Sequence, residues 1–125
     1  MTIPKFRAWD KKSKVLSLVG RIDFFKRQVS ILSPSYHSVG FENIKLMQST
    51  GMVDENGKEV FEGDIVLIYG EKISKVFYSQ GSFCVDILNG GTPLHGFSSK
   101  QLEVIGNVWA NKELMEEEEC SILLK

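Results

Sequence analysis

A turn signal near the middle of the chain places the strongest constraint on its fold. Asn56-Gly57 lies between two short apolar pairs, Met52-Val53 and Val60-Phe61. Asn and Gly both tolerate positive φ, which a type I′ turn requires at its two central residues, and the twist of that turn matches two paired strands. The pattern predicts a β-hairpin with a type I′ turn at Asn56-Gly57. This hairpin lies within residues 46–64, the stretch that organises the rest of the chain.

A second turn and an apolar strand follow this hairpin. Glu62-Gly63-Asp64 precedes Ile65–Tyr69, a run without charged residues. A short apolar run rich in β-branched residues and bounded by turns is typical of a strand buried on both faces. A metal or general-acid pair is the functional interpretation of Glu62 and Asp64, but no histidine or further carboxylate lies at a suitable spacing. We therefore expect both to be solvated turn carboxylates, which bond the local backbone.

Short strands separated by turns continue along the whole chain. Evenly spaced strands with glycine-rich turns favour an antiparallel meander that curls into a small β-barrel. Asn111 is a suitable N-cap for a short helix, and Gly106 indicates a bulge in the last strand. We predict a mainly β fold of antiparallel strands with a small β-barrel core and a short C-terminal helix. Strands are predicted at Ile3–Trp9, Val15–Val19, Val29–Leu32, Phe41–Gln48, Ile73–Tyr78, Phe83–Leu88 and Leu102–Trp109.

A loose stretch suggests how the chain is divided. Residues 33–40 contain Pro34, three serines and Gly40, a composition typical of a loop. We therefore predict an N-terminal β-hairpin subdomain over residues 1–40, a β-barrel core over 41–111, and a C-terminal helix and tail over 112–125. The acidic run Glu116–Glu119 opposes the helix dipole, so we expect the helix to fray there.

Composition limits the possible functions. The net charge of −1 provides no electrostatic basis for wholesale binding of nucleic acid or membranes. Cys84 and Cys120 are far apart and form no CxxC motif, so we expect two reduced thiols, with Cys84 as a small core residue. The first residues contain no apolar signal region, and no apolar run approaches the ~20 residues of a membrane span. We expect a cytoplasmic protein that does not associate with membranes.

Recognisable catalytic motifs are missing from the sequence. There is no phosphate-binding glycine loop and no GxSxG nucleophile elbow. His37 lies in the loose loop and is expected to be a surface residue. The sequence assigns no catalytic, cofactor-binding or metal-ligating residue. An enzyme would require Glu62, Asp64, His95 or Cys84 to converge in a pocket, and this is the least favoured alternative.

Several motifs in combination resemble one known family. The chain opens with Phe6–Asp10 (FRAWD), continues with Leu46–Gly51 (LMQSTG) and 54–66 (DENGKEVFEGDIV), and closes with Leu102–Asn107 (LEVIGN). This series is similar to the YopX family of bacteriophage and prophage proteins and covers nearly the whole chain. The departures from the family pattern are conservative, such as Lys112 where proline is common.

The resemblance implies a phage-encoded protein of the bacterial cytoplasm with a small β-barrel and no known catalytic residues to carry over. We therefore expect an accessory protein of unknown molecular function that is not an enzyme, takes no cofactor and acts through a protein partner. A homo-oligomer is one form of such a partnership, because exposed strand edges often pair and the apolar tail Ile122–Leu124 needs somewhere to dock.

The alternative is a nucleic-acid-binding barrel. Basic residues near the N-terminus surround an aromatic ring there, and together they would form one face for phosphates and a stacked base. The candidate contacts are Lys5, Arg7, Trp9, Lys11, Lys12 and Lys14.

Overall fold

The computed structural model describes residues 3–87 and 91–115, which divide into two compact units, Met1–Ser49 and Thr50–Lys125. The sequence placed a boundary at Gly40, whereas the compact units divide after Ser49. The predicted mainly β fold is confirmed, because its strands pair antiparallel and residues 112–115 are helical. The acidic run Glu116–Glu119, Cys120 and the apolar tail lie outside the described residues.

The first unit is built on one antiparallel sheet. Its strand order is β4-β3-β2-β1-β5, and the predicted first hairpin is present as β1 and β2, with Trp9 opposite Leu16. The register shifts between Val19 and Arg21, which marks a bulge in β2. The last residues of β5 continue into the second unit. The strands are β1 Phe6–Asp10, β2 Val15–Asp23, β3 Gln28–Ile31, β4 His37–Gly40 and β5 Ile44–Val53.

The chain connection between the two edges of this sheet shows that the sheet curls. β4 and β5 lie at opposite edges of the five strands, yet only the 3-10 turn Phe41–Asn43 joins them. Flat strands about 4.8 Å apart would separate these edges by about 19 Å. Three residues rising about 2 Å each span far less. The sheet is therefore strongly curled, and its concave side holds the core cluster Ala8, Val29, Ile31 and Ile44.

The second unit contains two three-stranded sheets, ordered β12-β7-β8 and β11-β10-β9. Its core cluster includes Val66, Ile68 and Leu102. The sequence correctly predicted that β7 is buried on both faces, since Ile65, Val66 and Ile68 have no exposed surface. No closed barrel forms among the strands described here. The strands of the second unit are β6 Glu59–Phe61, β7 Asp64–Ile68, β8 Lys72–Lys75, β9 Phe77–Ser79, β10 Ser82–Asp86, β11 Gly91–Pro93 and β12 Leu102–Asn107.

The simple meander order was wrong in this unit. β12 pairs with β7, although four strands lie between them in the sequence, and the predicted bulge at Gly106 is present in that pair. β7 is apolar on both sides and therefore takes the centre of its sheet, where it needs a partner on each edge. The next strand along the chain, β8, fills one edge, and β12 fills the other.

The predicted strand Ile73–Tyr78 is broken at Val76. The N–H of Val76 donates to the carbonyl of Asp64 at 2.8 Å, and its carbonyl accepts the N–H of Gly63 at 2.8 Å. Because both backbone groups of Val76 bond to the Glu62–Asp64 turn, the chain leaves one sheet here and enters the other. β8 therefore pairs with β7, whereas β9 pairs with β10.

The predicted type I′ turn at Asn56-Gly57 was also wrong, although the chain does turn there. Gly57 has φ +80°, but Asn56 does not have positive φ. The N–H of Gly57 donates to the carbonyl of Asp54 at 3.0 Å, and the N–H of Asp54 donates to the carbonyl of Lys58 at 2.8 Å. This is the longer hairpin loop that ends in a glycine bulge.

The Asp54 side chain explains the difference. Its Oδ1 accepts the N–H groups of Asn56 and Lys58 at 2.9 and 2.8 Å. These bonds hold the loop in a shape that requires positive φ only at Gly57. Positive φ at two successive residues occurs instead at Tyr69-Gly70 and Gln80-Gly81, where the sequence predicted turns without a type.

Candidate functional site

Two basic hairpin loops of the first unit are built in the same way. In the β1–β2 loop, residues 11–14 separate the paired residues Asp10 and Val15. The Oδ1 atom of Asp10 accepts the backbone N–H of Lys12 at 3.0 Å, and Lys14 has φ +58°. Lysine pays a backbone penalty in this left-handed conformation that glycine does not. The loop therefore keeps a cation at a position that favours glycine.

The β2–β3 loop repeats the arrangement with residues 24–27 between Asp23 and Gln28. The Oδ1 atom of Asp23 accepts the backbone N–H of Lys26 at 2.9 Å, and Arg27 has φ +56°. Again a basic residue occupies the left-handed position at the end of the loop. Each of the two loops therefore holds a cation at a position whose backbone conformation favours glycine.

Both loops attach to the same three-residue turn, Phe41–Asn43. The backbone N–H of Lys11 donates to the carbonyl of Asn43 at 3.0 Å, and its ammonium donates to the carbonyl of Glu42 at 3.1 Å. From the other loop, the carbonyl of Arg27 accepts the N–H of Phe41 at 2.9 Å, and its guanidinium lies 5.6 Å from the centre of the Phe41 ring.

The curl of the sheet thus brings together two loops that are separated along β2. The two attachment points are two residues apart on the turn, roughly 4 Å of helical rise. We call residues 11–14, 24–27 and 41–43 the basic–aromatic loop cluster. The cluster contains three phenyl rings, one acidic residue, Glu42, and five cations. The cations are Lys11, Lys12, Lys14, Lys26 and Arg27.

Two of these phenyl rings are presented to solvent. Phe25 is 96% exposed, and Phe24 is 75% exposed with its ring edge-on to Phe41 at 6.1 Å between centroids. A phenyl ring loses about 1.5–3 kcal/mol of burial free energy when left in water. Neither exposed ring belongs to the core cluster of the unit, so packing of that core does not account for their position.

A small polar recess lies beside the β2–β3 loop. Its volume is about 100 Å³, and Arg21 and Lys26 supply its positive charge. Asp23 opposes them in part, with an Arg21 Nη2 to Asp23 Oδ2 distance of 3.8 Å. The remaining lining groups are hydroxyls and an amide, which donate to anionic oxygens as readily as to water; they come from Gln28, Ser30 and Ser38.

The near-neutral net charge conceals two opposite charges. Met1–Ser49 contains nine Lys and Arg against three Asp and Glu, a formal charge of +6. Thr50–Lys125 contains six Lys and Arg against thirteen Asp and Glu, a formal charge of −7. The sequence-based argument against polyanion binding rested on the total of −1, and it does not apply to the first unit taken by itself.

The Asp10 carboxylate keeps its loop in shape at neutral pH. Burial opposes ionisation of this side chain, but hydrogen bonds from Lys12 and Ser13 and the charge of His37 outweigh it, so its pKa is lowered from the ordinary 3.8. The ionised group is the better acceptor for backbone N–H groups. Asp10 therefore supports the β1–β2 loop without adding an exposed negative charge, since it is buried.

The structure separates the six predicted nucleic-acid contacts. Lys11, Lys12 and Lys14 are exposed together in the β1–β2 loop. Lys5 is exposed just before β1, at the end of that strand away from the loop. Trp9 is half-buried within β1. Arg7 is 7% exposed and donates through Nη2 to the Met47 sulfur at 3.7 Å, so its guanidinium is not presented to solvent.

The sequence interpretation passed over the second loop. Residues 24–27 lie between the predicted strands Val15–Val19 and Val29–Leu32, and no function was assigned to them. One feature of the sequence could have revealed this second loop. An Asp is followed four residues later by a cation, at Asp10 and again at Asp23. Each is a four-residue hairpin loop that its aspartate caps.

The four residues considered for the enzyme alternative differ in their surroundings. Asp64 is 1% exposed and its Oδ2 accepts the N–H of Phe61 at 2.8 Å, so its assignment as a solvated carboxylate was wrong. Cys84 is buried as predicted, and its thiol lies 3.7 Å from the Ser82 carbonyl. His95 is exposed in a 3-10 turn and Glu62 is half-buried.

Metal-ligating groups and membrane-spanning helices are both absent from the part of the chain that the structure describes. No three His, Cys, Asp or Glu side chains there are grouped so that they could hold a metal ion. Within residues 3–87 and 91–115, no helix has the length and apolar character needed to cross a bilayer.

A cleft of about 320 Å³ lies in the second unit. Tyr69 stands beside it with φ +56°, its ring edge-on to Phe97 at 5.9 Å between centroids. Two acidic side chains, Glu55 and Glu103, and one basic side chain, Lys100, line the cleft, so its charge is mixed. The lining residues are Glu55, Leu67, Tyr69, Gly70, Lys100, Gln101, Leu102 and Glu103.

Comparison with known proteins identifies the family of the chain, and solved structures are also similar to it. The family model described as YopX protein matches residues 5–116. The crystal structure of protein EF1440 from Enterococcus faecalis is similar, with a TM-score of 0.66 and 28% sequence identity over 91% of this chain and 99% of that chain. No curated protein matches the chain.

Proposed function

The chain belongs to the YopX family, and from this premise we propose that it is a phage- or prophage-encoded accessory protein that binds nucleic acid through its first unit. In this proposal it acts in the cytoplasm of the bacterial host, by binding and not by catalysis. The bound polyanion contacts the basic–aromatic loop cluster.

The charge distribution is the observation that supports this proposal most directly. A formal charge of +6 on Met1–Ser49 is large for a unit of that size, and the loop with the exposed cations Lys11, Lys12 and Lys14 is attached to the same turn as the loop of residues 24–27. Clustered cations bind phosphates by releasing condensed counterions, so affinity falls steeply with salt. Adjacent exposed phenyl rings add a surface for bases.

Fluorescence anisotropy of labelled single- and double-stranded oligonucleotides with the full chain tests the proposal. We expect binding at about 50 mM salt that weakens strongly by about 200 mM, as expected when several phosphates are neutralised. The triple variant Lys11→Ala, Lys12→Ala, Lys14→Ala should bind weakly and with a shallower dependence on salt.

The acidic unit offers a matched control. Lys72, Lys75 and Lys100 are also exposed lysines, so their triple replacement by alanine removes the same charge from the other unit. This control should bind like the wild type. Binding that is absent at low salt, or that both triple variants lose equally, would overturn the proposal.

A protein partner is the second candidate function. The observation that favours it is the second unit, with a formal charge of −7 and a cleft beside the exposed Tyr69. The partner in this second candidate includes another copy of the same chain, because the oppositely charged units of two copies attract each other. Light scattering after size exclusion at low and high salt tests this form, and a monomer at high protein concentration in both salts would exclude it.

A further inference from the structure

The tip of the β2–β3 loop has features that a purely electrostatic contact would not need. Phe24 and Phe25 follow directly after Asp23, and Lys26 and Arg27 follow them. Phosphate binding requires only the two cations. The two phenyl rings, 75% and 96% exposed, add an apolar aromatic surface that phosphate contacts do not use.

We infer that Phe24 and Phe25 form a base-stacking platform, and that the nucleic acid bound by the first unit is single-stranded. This inference rests on the proposed function and specifies its substrate class. The face of a phenyl ring stacks on the face of a base, and single strands offer unstacked bases for this contact. In a duplex, the bases are stacked on each other and present mainly their edges.

Hydrogen bonds hold the backbone of the loop that carries the two rings, and a ring contact supports Phe24. Asp23 accepts the N–H of Lys26, and the carbonyl of Arg27 accepts the N–H of Phe41. Phe24 also rests edge-on against Phe41. A loop backbone held in this way loses little conformational entropy on binding, which raises affinity.

The surroundings of the platform suit a sugar–phosphate backbone. Arg27 lies over the Phe41 ring, and Arg21 and Lys26 line the adjacent polar recess of about 100 Å³. A base stacked on Phe25 would place its phosphate near these cations. The groups around the rings are charged or hydroxylic, and this supports a polyanion over the apolar surface of another protein.

Single substitutions at the tip test the inference in the full-length protein. The probe is a single strand of about 12 nucleotides, a length within the usual site sizes of single-strand binders, compared with a duplex of the same length. Phe25→Ala should weaken single-strand binding by about 5- to 100-fold, the range expected when one stacking ring is removed. Duplex binding and the salt dependence should change little, and Phe25→Trp should retain single-strand affinity.

The stability of the variant is a built-in control. Phe25 is almost fully exposed, so Phe25→Ala should unfold at the same temperature as the wild type. Exposed Tyr78 of the second unit, whose ring packs edge-on against Phe83, provides the matched aromatic control. Tyr78→Ala should leave oligonucleotide affinity unchanged.

The possible outcomes separate this inference from the proposed function. If Phe25→Ala binds single strands as well as the wild type, while the triple lysine variant loses binding, the platform is excluded and the nucleic-acid function stands. If the wild type binds no oligonucleotide, both are excluded.

A membrane surface is the alternative occupant for an aromatic and basic tip. Sedimentation with vesicles containing anionic phosphatidylglycerol measures it. Vesicle binding that Phe25→Ala abolishes, together with single-strand binding that this variant leaves intact, would overturn the inference in favour of lipid.

Discussion

The carboxylate of Asp54 joins the central hairpin to the backbone N–H of Val104, fifty residues later in the chain, through an Oδ2 contact of 2.8 Å. Its other oxygen accepts two N–H groups inside the hairpin loop. The N–H of Glu55 also donates to the carbonyl of Leu102 at 2.9 Å. One buried side chain therefore sets the shape of the loop and attaches it to β12.

Removal of this carboxylate should strongly destabilise the protein. Asp54 is 2% exposed, and Asp54→Ala would leave three backbone donors without their acceptor. We expect a loss of about 3 kcal/mol in the free energy of unfolding, measured by urea denaturation. The neighbouring Glu55→Ala, which changes an exposed side chain, should stay within about 0.5 kcal/mol. Equal effects at both positions would contradict the role of Asp54.

The same side chain should make stability depend on pH. Burial raises the pKa of Asp54, but the N–H groups of Val104, Lys58 and Asn56 outweigh it, so the pKa lies below the ordinary 3.8. The unfolded state then binds the proton more tightly, and stability falls as pH drops from about 4 through the lower folded value. Asp54→Asn, which cannot titrate, should lose less stability over this range than the wild type.

The loop geometry predicts different tolerance at two adjacent positions. Gly57 has φ +80° and nothing lies within 4 Å of a Cβ placed there, so Gly57→Val introduces backbone strain without a clash. We expect a loss of about 2 kcal/mol. Asn56 lacks positive φ, and Asn56→Ala should therefore change stability by less than about 0.5 kcal/mol. A large loss for Asn56→Ala would indicate the type I′ turn instead.

The protein should be less stable with lysine at position 14 than with glycine at the same position. Its φ of +58° costs a lysine about 1 kcal/mol, of which the flexibility of unfolded glycine offsets part. Lys14→Gly should therefore raise the free energy of unfolding by about 0.5 kcal/mol. Lys12→Gly, in the same loop but without positive φ, should lower it. If both variants are destabilised alike, the left-handed conformation at residue 14 is wrong.

Close packing at the bulge of β12 should make Gly106 intolerant of a side chain. A Cβ built there would lie 2.6 Å from the Oδ1 atom of Asn111, and that oxygen accepts the N–H of Asn107 at 3.1 Å. Gly106→Ala should cost about 2 kcal/mol by thermal unfolding. Gly96→Ala is the matched control, because nothing lies within 4 Å of a Cβ at that position, and we expect little change.

Local signals in the sequence were sufficient for much of the fold. The buried strand β7 and the bulge at Gly106 follow from apolar runs and single residues. The turn at Asn56-Gly57 was placed correctly, but its type depends on the Asp54 carboxylate. The break at Val76 depends on its bonds to residues 63 and 64. Such bonds are made after the chain has folded, so propensity does not reveal them.

Only half of the candidate site could be recognised from the sequence. Lys11, Lys12 and Lys14 stand out in the sequence as a cluster of cations. Phe24 to Arg27 are separated from them by the whole of β2, and a count of total charge hides the cations of both loops behind the acids of the second unit.

By itself, the sequence determined the family, the antiparallel β class and the places where the chain turns, because these depend on short motifs and on neighbours along the chain. Only the tertiary structure decided which turns meet. The curl of the first sheet brings two basic loops onto Phe41–Asn43, and the return of β12 to β7 gives Asp54 its third donor. Both depend on pairing between distant strands, whose partners are selected by burial of the whole core and not by local preference.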